Sequence, residues 1–313
     1  MSAPCYSLVS REYDSPPIML KGVDIAFFGE SIDERGVATI EAVTNAANSA
    51  FALRFRPDDQ TLLINDSETR LQRLAECVER ASRILIDATT LGLGEILNVL
   101  MAAQRGGHRQ VEFLYAEPTS YTRSTPKNRG ESEHRTFALT TNCRFQGIHG
   151  FAHQYQSNMS ATHVFLLGFE PARMRNAIEQ RGDIQRKTYK IHAVIGVPAF
   201  QPGWEGNTIR THLPLFEELV MGSPSITYCT ANSVREAYLT LWDLYLQLGD
   251  ERKVFYVSPL GTKPHAIAAT LFLLETKGND SVTSLYYDHP VRVNKRSSGS
   301  STWHHIVVQF SEK

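Results

Sequence analysis

Short apolar runs ending in glycine or proline alternate with longer amphipathic stretches along this chain, and the series runs through twice. In the first pass, DIAFF at 24–28 reads as a strand, Gly29 follows it, and an amphipathic stretch covers 34–45. FALRFRP at 51–57 and LLIND at 62–66 are strand-like, and Asp66 or Ser67 is placed to cap a Leu-spaced helix that runs through Glu79. RILID at 83–87 is a further strand. A helix over 95–104 is stopped by Gly106 and Gly107, and VEFLYAEP at 111–118 is a buried strand ended by Pro118. Strands alternating with helices of this length predict a parallel sheet covered by helices on both faces.

The second pass begins after a polar, turn-rich linker at 118–136 and an ambiguous stretch at 137–151 that suits a hairpin. HVFLLG at 163–168 ends in glycine as DIAFFG does, and Pro171 opens a helix. IHAVIGVP at 191–198, a helix over 233–248, the strand KVFYVSP at 253–259, a helix over 265–276 and the strand SVTSLYYDHP at 281–290 follow, with WHHIVVQF as a C-terminal strand. Landmarks recur in the same order: Gly29 with Gly168 (offset 139), Pro57 with Pro198 (141), Leu91 with Leu260 (169), Leu114 with Leu285 (171). One large jump in offset is what an insertion in the second copy requires. Chance matching between any two α/β halves is the alternative. The expected fold is thus α/β, with two tandem Rossmann-like halves, mostly parallel sheets and a pseudo-duplication. The expected boundaries are a tail at 1–19, a first half at 20–118, a linker with a hairpin at 119–160, and a second half at 161–313.

Charge narrows the partners. The chain's 32 Lys+Arg against 33 Asp+Glu leave a formal net charge of -1, which argues against long nucleic acid and requires any polyanion site to be local. No run approaches the roughly 20 apolar residues that span a bilayer, and the N-terminus lacks the pattern of a secretory signal. Cys5, Cys77, Cys143 and Cys229 form no CxxC pair, so a reduced, cytoplasmic protein is expected, and the NxS sequons at Asn65, Asn158 and Asn279 are read as chance. His149 and His153 are four apart but have no third ligand, so no metal is expected, and no cofactor motif appears.

Ligands of open parallel sheets bind beyond the C-terminal strand ends. Four turns there carry unusual residues: GESIDER at 29–35, DATTLGLGE at 87–95, GFEPARMR at 168–175 and SPLGTKPH at 258–265. In the last, Gly261 admits close approach, Thr262 offers a hydroxyl, and Lys263 adds charge where a helix dipole favours an anion. Thr89 and Thr90 either bind ligand hydroxyls or cap the next helix. Tyr287, Asp288, His289 and Arg292 crowd another strand end, with Lys295 and Arg296 beyond, and Trp204 sits in an aromatic-bearing loop at 197–207. A base stacked on an aromatic and a phosphate held by Arg292 is one arrangement such residues allow.

At the LGTKP turn the sequence resembles the CRISPR-associated Rossmann fold (CARF) domains and the related SAVED domains, which sense cyclic oligonucleotides in bacterial antiviral defence. The resemblance implies ligand-binding roles for Gly261, Thr262 and Lys263, with Thr89, Thr90, Gly29 and Gly168 at equivalent turns. His265, Arg292, Tyr287 and Trp204 complete the candidate set. The first half departs from the family pattern by having no lysine after its glycine. The expected function is a nucleotide-binding sensor or regulatory subunit, taking a phosphate-bearing ligand between the LGTKPH and DATTLG turns, forming a homodimer and acting through a partner or effector protein. Two alternatives stand beside it. One is a nucleotide hydrolase or transferase using Asp288, His289, Asp87 or His265; the other is a non-catalytic scaffold subunit.

Overall fold

A computed structural model describes residues 6–123, 137–141, 144–152, 160–181, 188–219, 224–248, 253–277 and 282–310. In chain order the first elements are β1 (Tyr6–Tyr13), β2 (Val23–Phe28), α1 (Glu34–Ala46), β3 (Ala47–Arg56), β4 (Thr61–Ile64), β5 (Ser67–Thr69), α2 (Leu71–Val78), β6 (Ile84–Asp87), α3 (Leu93–Arg105) and β7 (Gln110–Tyr121). Then come β8 (Thr140–Thr141), β9 (Ser160–Leu166), α4 (Pro171–Glu179), β10 (Tyr189–Gly196), α5 (Glu205–Glu218) and β11 (Ser225–Cys229). The chain continues through α6 (Val234–Leu246), β12 (Lys253–Pro259), α7 (Lys263–Lys277), β13 (Thr283–Leu285), β14 (Val291–Arg292) and β15 (Ser297–Phe310). The architecture is mixed α/β. Two compact units divide it, Met1–Tyr121 with Val293–Lys313, and Thr122–Arg292.

The first unit holds an eight-stranded sheet in the order β1-β15-β7-β6-β2-β3-β4-β5. Its centre, β7, β6, β2 and β3, is parallel, whereas β15 and β1 on one side and β4 and β5 on the other pair antiparallel. The second unit holds a five-stranded, wholly parallel sheet in the order β11-β10-β9-β12-β13. Strands buried on both faces read as near-continuous apolar runs, as in HVFLL of β9 and VFYV of β12. Each unit's own core packs against these strands: Val23, Ala26, Leu85, Leu114 and Trp303 in the first, and Phe165, Ala193, Tyr256, Met174 and Phe216 in the second.

Several expectations give way to local chemistry. Asp66 and Ser67 do not cap a helix, because Asn65 and Asp66 both adopt left-handed backbone (φ 47 and 62) and turn β4 back onto β5. Two consecutive left-handed residues are the signature of a tight hairpin turn, so Ser67 pairs with Ile64 and the helix waits until Leu71. Pro118 does not end its strand. β6 accompanies β7 only as far as Leu114, so Pro118 lies where that side has no ladder to lose, beside an irregularity in the β15 pairing. The expected hairpin at 137–151 is absent among the described residues: β8 pairs with β14, and Gln146 bridges to Tyr287. Residues 124–136 of the linker, and Asn158, Asn279 and His153, lie outside the described residues. The stretch expected to be an N-terminal tail includes β1, and the C-terminal strand starts at Ser297 and belongs to the first unit's sheet rather than to the second half. α5 and β11 are additions that the sequence reading lacked.

Among the described residues no helix is long and apolar enough to cross a membrane. Among the described residues no three His, Cys, Asp or Glu side chains are grouped to hold a metal ion.

The first unit's sheet carries a titratable network with a measurable consequence. Glu112 of β7 accepts from Arg83 Nε and Nη2, both at 2.8 Å, and lies 2.8 Å from His305 Nε2. Burial works against its charge, but these partners prevail and hold its pKa down at about 2, against an ordinary 4.5. A depressed carboxylate adds stability above its unfolded pKa and loses it as pH falls from about 4.5 toward 2. We therefore expect urea midpoints of the wild type to drop more steeply over that window than those of Glu112→Gln. Parallel curves would remove Glu112 from the acid response.

Candidate functional site

In each unit the first parallel strand lies inside the sheet, with the chain returning to both of its sides. β2 neighbours β3 and β6, and β9 neighbours β10 and β12. Open α/β sheets bind ligands where the strand order reverses in this way. The turns after β2 and β6 in the first unit, and after β9 and β12 in the second, are the ones that the sequence singled out.

In the second unit those two turns touch. A Cβ on Gly168 would lie 2.7 Å from the Leu260 carbonyl oxygen and 3.2 Å from Gly261 Cα, and a Cβ on Gly261 would lie 2.5 Å from the Leu167 carbonyl oxygen. Neither position admits a side chain without moving backbone. Thr262 follows, and its hydroxyl donates to the Ala231 carbonyl at 2.6 Å while lying 3.4 Å from the His265 amide, tying the end of β11 to the start of α7. Lys263 is the first residue of α7, half-buried, with Pro264 second, where its missing N–H costs nothing. Lys263 thus stands at a helix N-terminus that already favours negative charge.

Beneath this turn lies a buried ion pair that the sequence did not reveal. Arg173 of α4 donates through Nε (2.5 Å) and Nη2 (2.6 Å) to the two oxygens of Asp288, and through Nη1 (2.7 Å) to the Leu260 carbonyl. Asp288 is fully buried. The pair fixes the backbone one residue before Gly261.

The first unit repeats the close approach with different side chains. A Cβ on Gly29 would lie 2.7 Å from the Thr90 carbonyl oxygen. Here both threonine hydroxyls are engaged: Thr90 Oγ1 accepts from the Gly29 amide (2.8 Å) and donates to Asp87 (2.6 Å), and Thr89 Oγ1 accepts from the Ala116 amide (3.0 Å). Asp87 also accepts from Thr39 Oγ1 (3.0 Å) and the Thr89 amide (2.9 Å). Burial raises its pKa despite these donors. Arg35 of α1 is buried, donating to the Ala116 carbonyl (2.7 Å), Asp33 (3.0 Å) and Ser297. At the start of α3 stands Glu95 rather than a lysine, its carboxylate accepting from the Phe55 amide at 2.8 Å.

Three of the four groups considered for catalysis, Asp288, Asp87 and His265, are engaged in internal contacts. Asp288 is paired with Arg173, and Asp87 is enclosed by hydroxyls. His265 is fully buried, with Nε2 at 3.1 Å from the Thr230 carbonyl and 3.4 Å from Cys229 Sγ. Burial takes its pKa down to about 4 and that of Cys229 up to about 12, so the two stay neutral. His289 adopts left-handed backbone (φ 41) with its ring edge-on to Tyr287, centroids 5.1 Å apart.

Of the remaining candidates, Trp204 stands just before α5, its ring edge-to-face with Phe169 at 5.8 Å, and Phe169 stacks on Phe137 at 4.6 Å. Phe169 immediately follows Gly168, so this aromatic ladder starts one residue from the Gly168–Gly261 contact. Arg292 lies on β14 opposite Thr140, and Tyr287 bridges to Gln146. Lys295 and Arg296, expected beside Arg292, belong to the first unit, where the Lys295 amide donates to the Ile32 carbonyl at 2.7 Å. Thr89 and Thr90 are in the first unit and Lys263 in the second.

Reading missed Arg35, Arg173, Phe169 and Phe137. A faint signal existed for the arginines, since each follows its strand-ending glycine by six or five residues, in GESIDER and GFEPAR. No protein-family model matches this chain, and no curated protein matches its sequence.

Proposed function

We propose that the second unit is a binding module for a phosphate-bearing ligand, a nucleotide or cyclic oligonucleotide, and that the protein acts as a sensor or regulatory subunit of the kind that CARF and SAVED domains exemplify. One observation carries this reading: Lys263 opens α7 at the strand-order reversal, two residues after Gly261, a glycine that has no room for a side chain. An anion there would meet the positive end of the α7 dipole and an ammonium together. The adjacent Phe169 and Trp204 rings suit a base.

The parallel strands β3-β2-β6-β7 and β10-β9-β12-β13 follow one order, which supports descent of the two units from a duplicated ancestor. On this reading the first unit has lost the site. No lysine opens α3, and Glu95 in its first turn presents the wrong charge for an anion. The commitment of Asp288, Asp87 and His265 to internal contacts favours binding over turnover. Cytoplasmic action in antiviral defence belongs to the same proposal.

A thermal-shift panel of cyclic and linear oligoadenylates, dinucleotides and mononucleotides tests it. A binder at about 100 times its dissociation constant stabilises by about 2.7 kcal/mol. The expected result is a shift with at least one of them that is lost in Lys263→Ala, the nucleotide being recovered intact by chromatography. No shift with any of them, or a shift unchanged in Lys263→Ala, overturns the site. Consumption of the nucleotide replaces the sensor with an enzyme.

A further inference from the structure

The two larger sheets have four edges, and among the described residues three of them are protected. β1 carries Arg11 and Glu12 along its length. β5 is three residues long with Glu68 at its centre. β13 is buried throughout, and the segment at Phe151 lies against it, the Leu285 amide donating to the Phe151 carbonyl at 2.7 Å. Edges are blunted in these ways because an unpaired strand is a template for another chain.

β11 has none of these devices. Its sequence, SITYC, contains no charge and no proline, and among the described residues it pairs only with β10. Ile226 and Tyr228 are 44% and 57% exposed. The register sets Ile226 beside Ala193 and Tyr228 beside Ile195, so both lie on the sheet face that α5 covers with Leu215 and Phe216. α5 is also the crossover from β10 to β11, and it exposes Ile209 and Leu213, one helical turn apart.

We propose that β11 is a homodimer interface, pairing antiparallel with β11 of a second copy about an axis at Thr227. Self-pairing fits this strand better than any other occupant. The same patch serves both sides of a two-fold contact, and this register sets each Ile226 opposite the copy's Tyr228, an aromatic against a β-branched side chain. An uncharged strand meets its own copy without like-charge repulsion. A five-residue strand falls short of the roughly 1,200 Å² that a stable interface buries, and the exposed apolar side chains of α5 supply further area on the same face. The result is a continuous sheet of ten strands, two copies of five.

Sedimentation velocity on the full chain, from low to high micromolar, tests this independently of any ligand. The expected species is twice the 35.1 kDa chain mass, and the double variant Ile226→Lys with Tyr228→Lys is expected to run as a monomer with an unchanged circular dichroism spectrum. If that variant does not fold, Ile209→Lys with Leu213→Lys on the exposed face of α5 is expected to weaken the dimer at least tenfold. A wild type that is monomeric at high micromolar, or a dimer that persists undiminished in a folded variant, overturns the proposal. So does a monomer that assembles only with an unrelated partner strand.

Discussion

Replacing Asp288 with alanine is expected to destabilise the second unit by about 3–5 kcal/mol, the usual cost of stranding one member of a buried ion pair. The geometry places this pair at the high end of its class. Both carboxylate oxygens are engaged by a forked donor, both side chains are buried, and the third guanidinium bond goes to the Leu260 carbonyl. Asp288→Ala would leave the Arg173 charge with a carbonyl alone. Because Leu260 precedes Gly261, the same change should loosen the candidate anion turn, so Lys263-dependent ligand stabilisation should fall in parallel. The double variant Arg173→Met with Asp288→Leu separates charge from packing. It is expected to recover most of the lost stability, since apolar replacements of buried pairs are often neutral or better. Urea unfolding gives both values, and a loss under about 1 kcal/mol for Asp288→Ala would show that water reaches the pair.

Gly261→Ala is the second large effect, expected at about 3 kcal/mol, the upper end of what overpacking costs. The added carbon would stand 2.5 Å from the Leu167 carbonyl oxygen and 3.2 Å from that of Leu166. Those are backbone atoms of β9 and its turn, which are paired to β10 and β12 and so have little room to give. Gly206→Ala supplies the internal control. Nothing lies within 4 Å of its would-be Cβ, and it sits inside the first turn of α5. That change should stabilise by about 0.4–1 kcal/mol, through lower unfolded-chain entropy and better helix propensity. Opposite signs for two glycine-to-alanine changes in one unit would identify close backbone approach, rather than glycine flexibility, as the reason for Gly261.

Much of the framework was legible because it is local. The strand-glycine junctions at Gly29 and Gly168, the proline that opens α4, and the Gly106–Gly107 stop of α3 are written in adjacent residues. What stayed hidden depends on partners distant in sequence or on competition between local preferences. Arg173 and Asp288 are 115 residues apart, and an arginine near a helix start looks solvated until its partner is known. α5 was obscured by Pro214, an interior helix position that propensity alone would reject. At Ser67 a plausible helix cap lost to the left-handed pair Asn65–Asp66 and its hairpin. The four turns were found correctly as strand-end turns, but the hydroxyls of Thr89 and Thr90 face inward, which sequence leaves open between capping, core and ligand.

The proposed division between a binding second unit and a closed first unit is tested most directly by amide hydrogen exchange, read by mass spectrometry with and without a cyclic oligoadenylate that shifts the melting temperature. Exchange should slow in peptides covering 258–268 and remain unchanged across 87–96. Unchanged exchange at 258–268, or equal protection at 87–96, would contradict it.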